Sequence, residues 1–125
     1  MLDNDVFPDP RPMTQCDYGG VTRIVGWRCA DCAFCVALKA PWCTKCHGPL
    51  VPAEFGPGGI VWASTVIRVP LPGRTPPYGL LYVDIDAGPR VLGHLRSTTP
   101  TRVRVGHHVR LVGDSSDGDL EFEVT

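Results

Sequence analysis

The sequence predicts a mostly β fold, on three observations. Glycine and proline are heavily used, 14 and 13 of 125 residues, which favours short strands and turns over long helices. From residue 59 onward, segments rich in β-branched residues alternate apolar and polar side chains with a period of two. Five of the six cysteines crowd into residues 29–46, CADCAFCVALKAPWCTKC. The length suits one domain, or two very small units sharing a core.

The cysteines set the first unit. Cys29 and Cys32 form one C-x-x-C pair, and Cys43 and Cys46 form a second ten residues later. Two residues between ligands let a tight turn aim both thiolates at one metal, and a hairpin brings the second turn round. Four soft thiolates suit zinc, or iron in a rubredoxin-like site. Cys32-Ala33-Phe34-Cys35 is also C-x-x-C. Pairing 29/32 with 43/46 leaves FCVALKA as a short strand, on which Cys35 is a small buried apolar side chain. Cys16 has no partner at ligand spacing and reads as a free thiol. Cys43-Thr44-Lys45-Cys46-His47 matches the c-type haem attachment pattern C-x-x-C-H. Haem attachment would need an export route and a second axial ligand, and it leaves Cys29 and Cys32 unexplained. A four-thiolate zinc ribbon over residues 21–54 is therefore the preferred reading. Four thiolates close the coordination sphere, so the metal is structural, supplying folding free energy to a unit too small for its own core.

The second unit, 55–125, reads as strands throughout. GIVWASTVIRV (59–69) precedes a Pro-rich loop, PLPGRTPPYG (70–79). In LLYVDID (80–86), Leu81, Val83 and Ile85 alternate with Tyr82, Asp84 and Asp86. RVLGHLR (90–96) points Val91, Gly93 and Leu95 inward, and Gly93 suggests a bulge or bend at a barrel corner. A short strand is expected at Val103 and Val105. HVRLVG (108–113) follows, then a hairpin turn, DSSDG, and DLEFEVT with Leu120, Phe122 and Val124 on one face. Five short strands that must avoid open edges fit an OB-type barrel, with an SH3-like barrel as runner-up. Residues 1–20, rich in Pro and Asp near the start, read as a flexible lead-in.

Charge and targeting narrow the function. A net charge of −1 gives no bulk attraction to nucleic acid or anionic membrane. No segment is long and apolar enough to span a bilayer, and the N-terminus lacks a secretion-signal pattern, so the expected location is cytoplasmic. In a reducing compartment, clustered cysteines favour metal ligation over disulfides. His107 and His108 are adjacent on a strand and point to opposite faces, so they do not serve one substrate. Asp84 and Asp86 share a strand face but read as a solvated strand end. Stand-alone catalysis is not indicated, and no catalytic residue is assigned.

The text as a whole resembles a known family. WRCADC, APWCTKCHG, FGPGGIVWASTVIRVP, PPYGLLYVDIDAGPRVLGHL and VGHHVRLV, in that order over residues 27–125, are similar to the acyl-CoA-associated proteins that join a rubredoxin-like zinc ribbon to an OB-fold. That family was long catalogued as a domain of unknown function. The resemblance implies a structural zinc at Cys29, Cys32, Cys43 and Cys46, and a role as small partner of thiolase-superfamily enzymes. Such partners include thiolases, a hydroxymethylglutaryl-CoA synthase, lipid-transfer-type retro-aldolases of steroid side-chain breakdown and some acyltransferases. The large subunit then carries the catalytic residues, in an assembly expected to be a heterotetramer. On this reading Arg68, Arg74, Tyr78, Arg90, His94 and Arg96 are candidate contacts to acyl-CoA or to the partner.

Two features depart from the family pattern. The lead-in does not read as helix, and the glycine that often follows each knuckle is Ala33 in one case and displaced to Gly48 in the other. Knuckles of slightly different shape are the expectation. The alternative function is a single-stranded nucleic-acid module, with Trp62, Tyr78 and Tyr82 as stacking candidates. From residue 60 on, seven arginines are balanced by seven carboxylates, which weighs against it.

Overall fold

A computed structural model describes residues 11–70, 72–97, 102–115 and 118–125, and among them the regular elements are all strands. The first unit is a four-stranded sheet built on β2 (Thr22–Cys29). Antiparallel to β2 run β1 (Met13–Cys16), β3 (Cys35–Val36) and β4 (Leu50–Phe55). The burial of β2 alternates, with Thr22, Ile24, Gly26 and Cys29 inside. It ends on the first cysteine of the first knuckle.

The lead-in reading needs correction at β1. Met13–Cys16 pairs with Thr22–Val25, and the Thr14 hydroxyl donates to both oxygens of Asp114, each at 2.9 Å. The Asp17 carboxylate explains how this composition supports a hairpin. It accepts from the Gly19 and Val21 amides at 2.8 and 3.0 Å and pairs with Arg23, closing an Asx turn. Residues 1–10 lie outside the described residues. The inter-knuckle strand is also shorter than FCVALKA suggests, and Cys35 within it is only partly buried.

The second unit is a closed barrel of β5 (Gly58–Ile67), β6 (Tyr78–Ile85), β7 (Arg90–Leu95), β8 (His108–Asp114) and β9 (Leu120–Val124), in the order β5-β6-β7-β9-β8. Neighbours are antiparallel except β7 and β9, whose parallel pairing closes the circle. Strand count left OB-type and SH3-like barrels open. This five-strand closure is the OB-type architecture. Its interior holds Val61, Leu81, Val83, Ile85, Val91, Val109, Leu111, Leu120 and Phe122, and Ile24 and Phe55 of the ribbon join the same core. The two units therefore share one hydrophobic core.

Three barrel expectations change. Val103 and Val105 form no strand. Val103 is nonetheless buried, its carbonyl accepting from the Ser64 hydroxyl, while Val105 is exposed. Val124, placed on the inner face with Leu120 and Phe122, is exposed at the strand end. Gly93 sits in regular register opposite Leu81. It is glycine because the Phe122 ring lies where a Cβ would be, 2.5 Å away. The bulges fall elsewhere, at Trp62 and at Val112. Gly93→Ala is accordingly expected to overpack the barrel and cost about 1–3 kcal/mol, read as a lower urea midpoint at unchanged slope.

Candidate metal centre

Two turns of like geometry carry the four cysteines. In the first, the Cys29 amide donates to Phe34 O and the Ala33 amide to Cys29 O, at 2.8 and 3.0 Å. In the second, Cys43 N donates to Gly48 O and His47 N to Cys43 O, at 2.9 and 2.8 Å. Ala33 and His47 both take φ 64°, the left-handed region. The two knuckles thus share one shape. Non-glycine residues hold that conformation at a cost of roughly 1–2 kcal/mol each.

The sulfurs converge. All four Sγ atoms lie within 4.8 Å of one another, with Cys29 to Cys46 at 3.4 Å and Cys32 to Cys43 at 3.7 Å. A tetrahedron of Zn–S bonds near 2.3 Å has edges of about 3.8 Å, so the donor set fits such an ion. Backbone amides point at the sulfurs: Asp31 N and Cys32 N at Cys29 Sγ, 3.4 and 3.5 Å, and Lys45 N at Cys43 Sγ, 3.4 Å. Cys35 stands apart, its thiol on the Ala33 and Ala87 carbonyls, and Cys16 is exposed at the end of β1. Neither belongs to the cluster.

The cluster's electrostatics favour a cation. The Cys32 amide, working against burial and aided by Asp31, holds the Cys29 thiol down to about 7. Cys46 is favoured as thiolate by the Gly48 amide, yet the neighbouring Cys29 and Cys32 sulfurs push it up to about 12. Without a bound ion the four cannot all ionise together. A divalent cation removes that conflict, and with four thiolates it keeps no open position for substrate. Gly48 is part of the cage: a Cβ there would sit 2.7 Å from Asp31 Oδ2 and 3.0 Å from Cys29 Sγ.

The six candidate CoA or partner contacts do not form one surface. Arg74 and His94 gather with Arg11 around Asp119, at 3.6, 3.4 and 3.3 Å. Tyr78 is buried, its ring 5.5 Å from that of His94 and covered by the Arg74 guanidinium. Burial, followed by the charge of Arg74, holds His94 below the usual histidine range. Arg96 is tied to Glu121 at 2.7 Å, and Arg68 is exposed just beyond β5. Arg90 grips Asp84 through two hydrogen bonds, 2.6 and 3.1 Å, and lies over the Trp62 ring at 3.8 Å. Sequence reasoning missed Asp119 as a hub, because nothing in its turn sequence shows which distant cations will reach it.

Residues 53–114 match the family described as ChsH2, C-terminal OB-fold domain. The match runs from the end of β4 through β8, so the barrel is similar to the OB-fold domain of that family. A solved structure titled Ltp2-ChsH2(DUF35) aldolase is similar to this chain with a TM-score of 0.68 and 26% identity, covering 82% of this chain and 84% of that one. The 3-oxo-4,17-pregnadiene-20-carboxyl-CoA hydratase alpha subunit of Mycobacterium tuberculosis (strain ATCC 25618 / H37Rv) is 42% identical over 53 residues. That stretch is 42% of this chain and 17% of the hydratase subunit. Among the described residues no helix is long and apolar enough to cross a membrane.

Two outcomes are expected from the cage. Gly48→Ala should release zinc at least tenfold faster to a chromogenic chelator than the wild type. Zinc affinity should also fall as pH drops through about 7, where Cys29 regains its proton and the ion must displace one proton more. Competitive titration across that range measures the slope.

Proposed function

We propose that this chain is a small non-catalytic subunit of a complex with a thiolase-like enzyme acting on acyl-CoA thioesters. The large subunit supplies the residues that make or break the C–C bond, by thiolysis or by retro-aldol cleavage. This chain supports the partner's active-site region and the acyl-CoA channel. Zinc at Cys29, Cys32, Cys43 and Cys46 keeps the ribbon folded, and the barrel from about residue 55 provides the rigid body. The assembly is a heterotetramer built on the partner's dimer, working in the cytoplasm.

One observation carries the reading: the likeness to the Ltp2-ChsH2(DUF35) aldolase structure extends over both units, 82% of the chain, and is not confined to the barrel. The chemistry of the described residues agrees with it. The four-sulfur cluster has no vacant donor position when filled, and the strongest charged groups of the barrel are spent on each other, Arg90 with Asp84 and Arg96 with Glu121. A general acid or base needs a titratable group facing a substrate. His94, the histidine held low, is instead packed against Tyr78 and Asp119. The pairing of Arg74, Arg90 and Arg96 with carboxylates removes three of the barrel's seven arginines from the basic surface a nucleic-acid strand would need.

The test is reconstitution from purified components. The wild-type chain should co-elute with a thiolase-like large subunit of the same organism and raise its turnover of an acyl-CoA. Cys43→Ser should lose zinc and lose the partner together. Turnover of an acyl-CoA by the isolated chain, or a Cys43→Ser variant that keeps both zinc and partner, would overturn the reading.

A further inference from the structure

The outer face of β5–β7 presents apolar surface that neither the core nor the metal centre explains. Trp62 on β5, Tyr82 on β6 and Leu92 on β7 form a row across three adjacent strands, and Tyr82 and Leu92 are direct cross-strand partners. Trp62, Tyr82 and Leu92 are 49, 45 and 44% exposed. Beyond Leu92, across a cavity of about 410 Å³ whose lining also includes the ion-paired Arg11 and Asp119 and His94, lies Leu38 of the ribbon, 45% exposed. Together these four side chains expose on the order of 400 Å² of apolar surface, as large as the main patch of many monomers and about half of what one partner contributes to a standard interface.

The row is built, not incidental. Val61 pairs with Val83 and Ala63 with Tyr82, so Trp62 is the extra residue of a β-bulge, a device that re-aims a side chain. Its ring meets Tyr82 edge-on at 6.0 Å, and the Arg90 guanidinium lies 3.8 Å from its centroid. Arg90 is itself fixed by the two-pronged grip on Asp84, its cross-strand partner. Trp, Tyr and Arg are the residues most enriched among binding anchors, and anchors already held in place lose little entropy on docking. The charge is equally informative. Asp84 and Arg90 are the charged groups of the row, and they neutralise each other. A single-stranded nucleic acid needs an uncompensated basic track beside its stacking rings. A neutral aromatic row suits an apolar protein surface.

We propose that this face, centred on Trp62 and extended by Leu38, is the surface on which the thiolase-like large subunit docks. The inference rests on the partner reading above, and the experiment separates the two. Binding of the purified large subunit is measured for the wild type, Trp62→Ala, Leu92→Asp and, as a control on the β1–β2 turn, Tyr18→Ser. Zinc content and thermal unfolding establish that each variant is folded. Trp62→Ala and Leu92→Asp should each weaken binding by at least about 30-fold, while Tyr18→Ser stays within about twofold. In the wild-type complex, amide exchange should slow over residues 60–64, 80–84 and 90–94, a readout that needs no variant. Full binding by both folded face variants, without slowed exchange, would overturn the docking surface and leave the function standing. Failure of the wild type to bind any thiolase-like subunit would overturn both. Tight binding of a fluorescent oligothymidine that Trp62→Ala abolishes would assign the face to nucleic acid instead.

Discussion

Four sulfurs held within 4.8 Å of one another can all be thiolates only around a cation, and much of the ribbon is arranged to bring them together. The first knuckle grows directly out of β2, whose last residue is Cys29. The second returns the chain into β4 along the other length of β2. Ala33 and His47 accept left-handed backbone to keep both turns in shape, and Gly48 gives up its side chain to make room. Several kcal/mol of local cost is thereby concentrated within one small unit, which a metal–thiolate site of order 10 kcal/mol or more can offset.

Once that sheet exists, Ile24 and Phe55 extend the barrel core into the ribbon. The Arg28 guanidinium reaches the Ala87 carbonyl and lies over Phe55, and Arg11 and Thr14 hold the N-terminal strand to the β8–β9 hairpin. The result is a two-part body on one core, with half of its ten arginines held in ion pairs. Such a body is suited to completing another protein's surface, and the aromatic row on β5–β7 lies on its outside.

Much of this was legible in the residues. Two C-x-x-C pairs picked out the four cysteines whose sulfurs converge, because ligand spacing is local and each turn positions its own cysteines. The period-two runs at Leu81-Val83-Ile85 and Val109-Leu111 placed core residues, because a buried strand face leaves a one-dimensional trace. What failed was non-local. Gly93 looks like a bulge until the Phe122 ring is seen against it, whereas the bulge at Trp62 sits in a segment with no glycine or proline to mark it. The strand at Met13 was hidden by flanking turn residues, and beyond its local hairpin with β2 it is held by Asp114, a hundred positions on from Thr14. The candidate contacts scattered for the same reason. Arg74 and His94 meet at Asp119, and Tyr78 is buried beside them, although the loop between β5 and β6 reads as exposed.

We take a sulfur-bound ion to hold the ribbon, and through the shared core the surface proposed for the partner. Native mass spectrometry of the purified complex before and after a zinc chelator tests it most directly. One zinc per small chain, and dissociation of the complex in step with loss of that zinc, is the result required. A complex that persists intact with no metal in the small chain would contradict the claim.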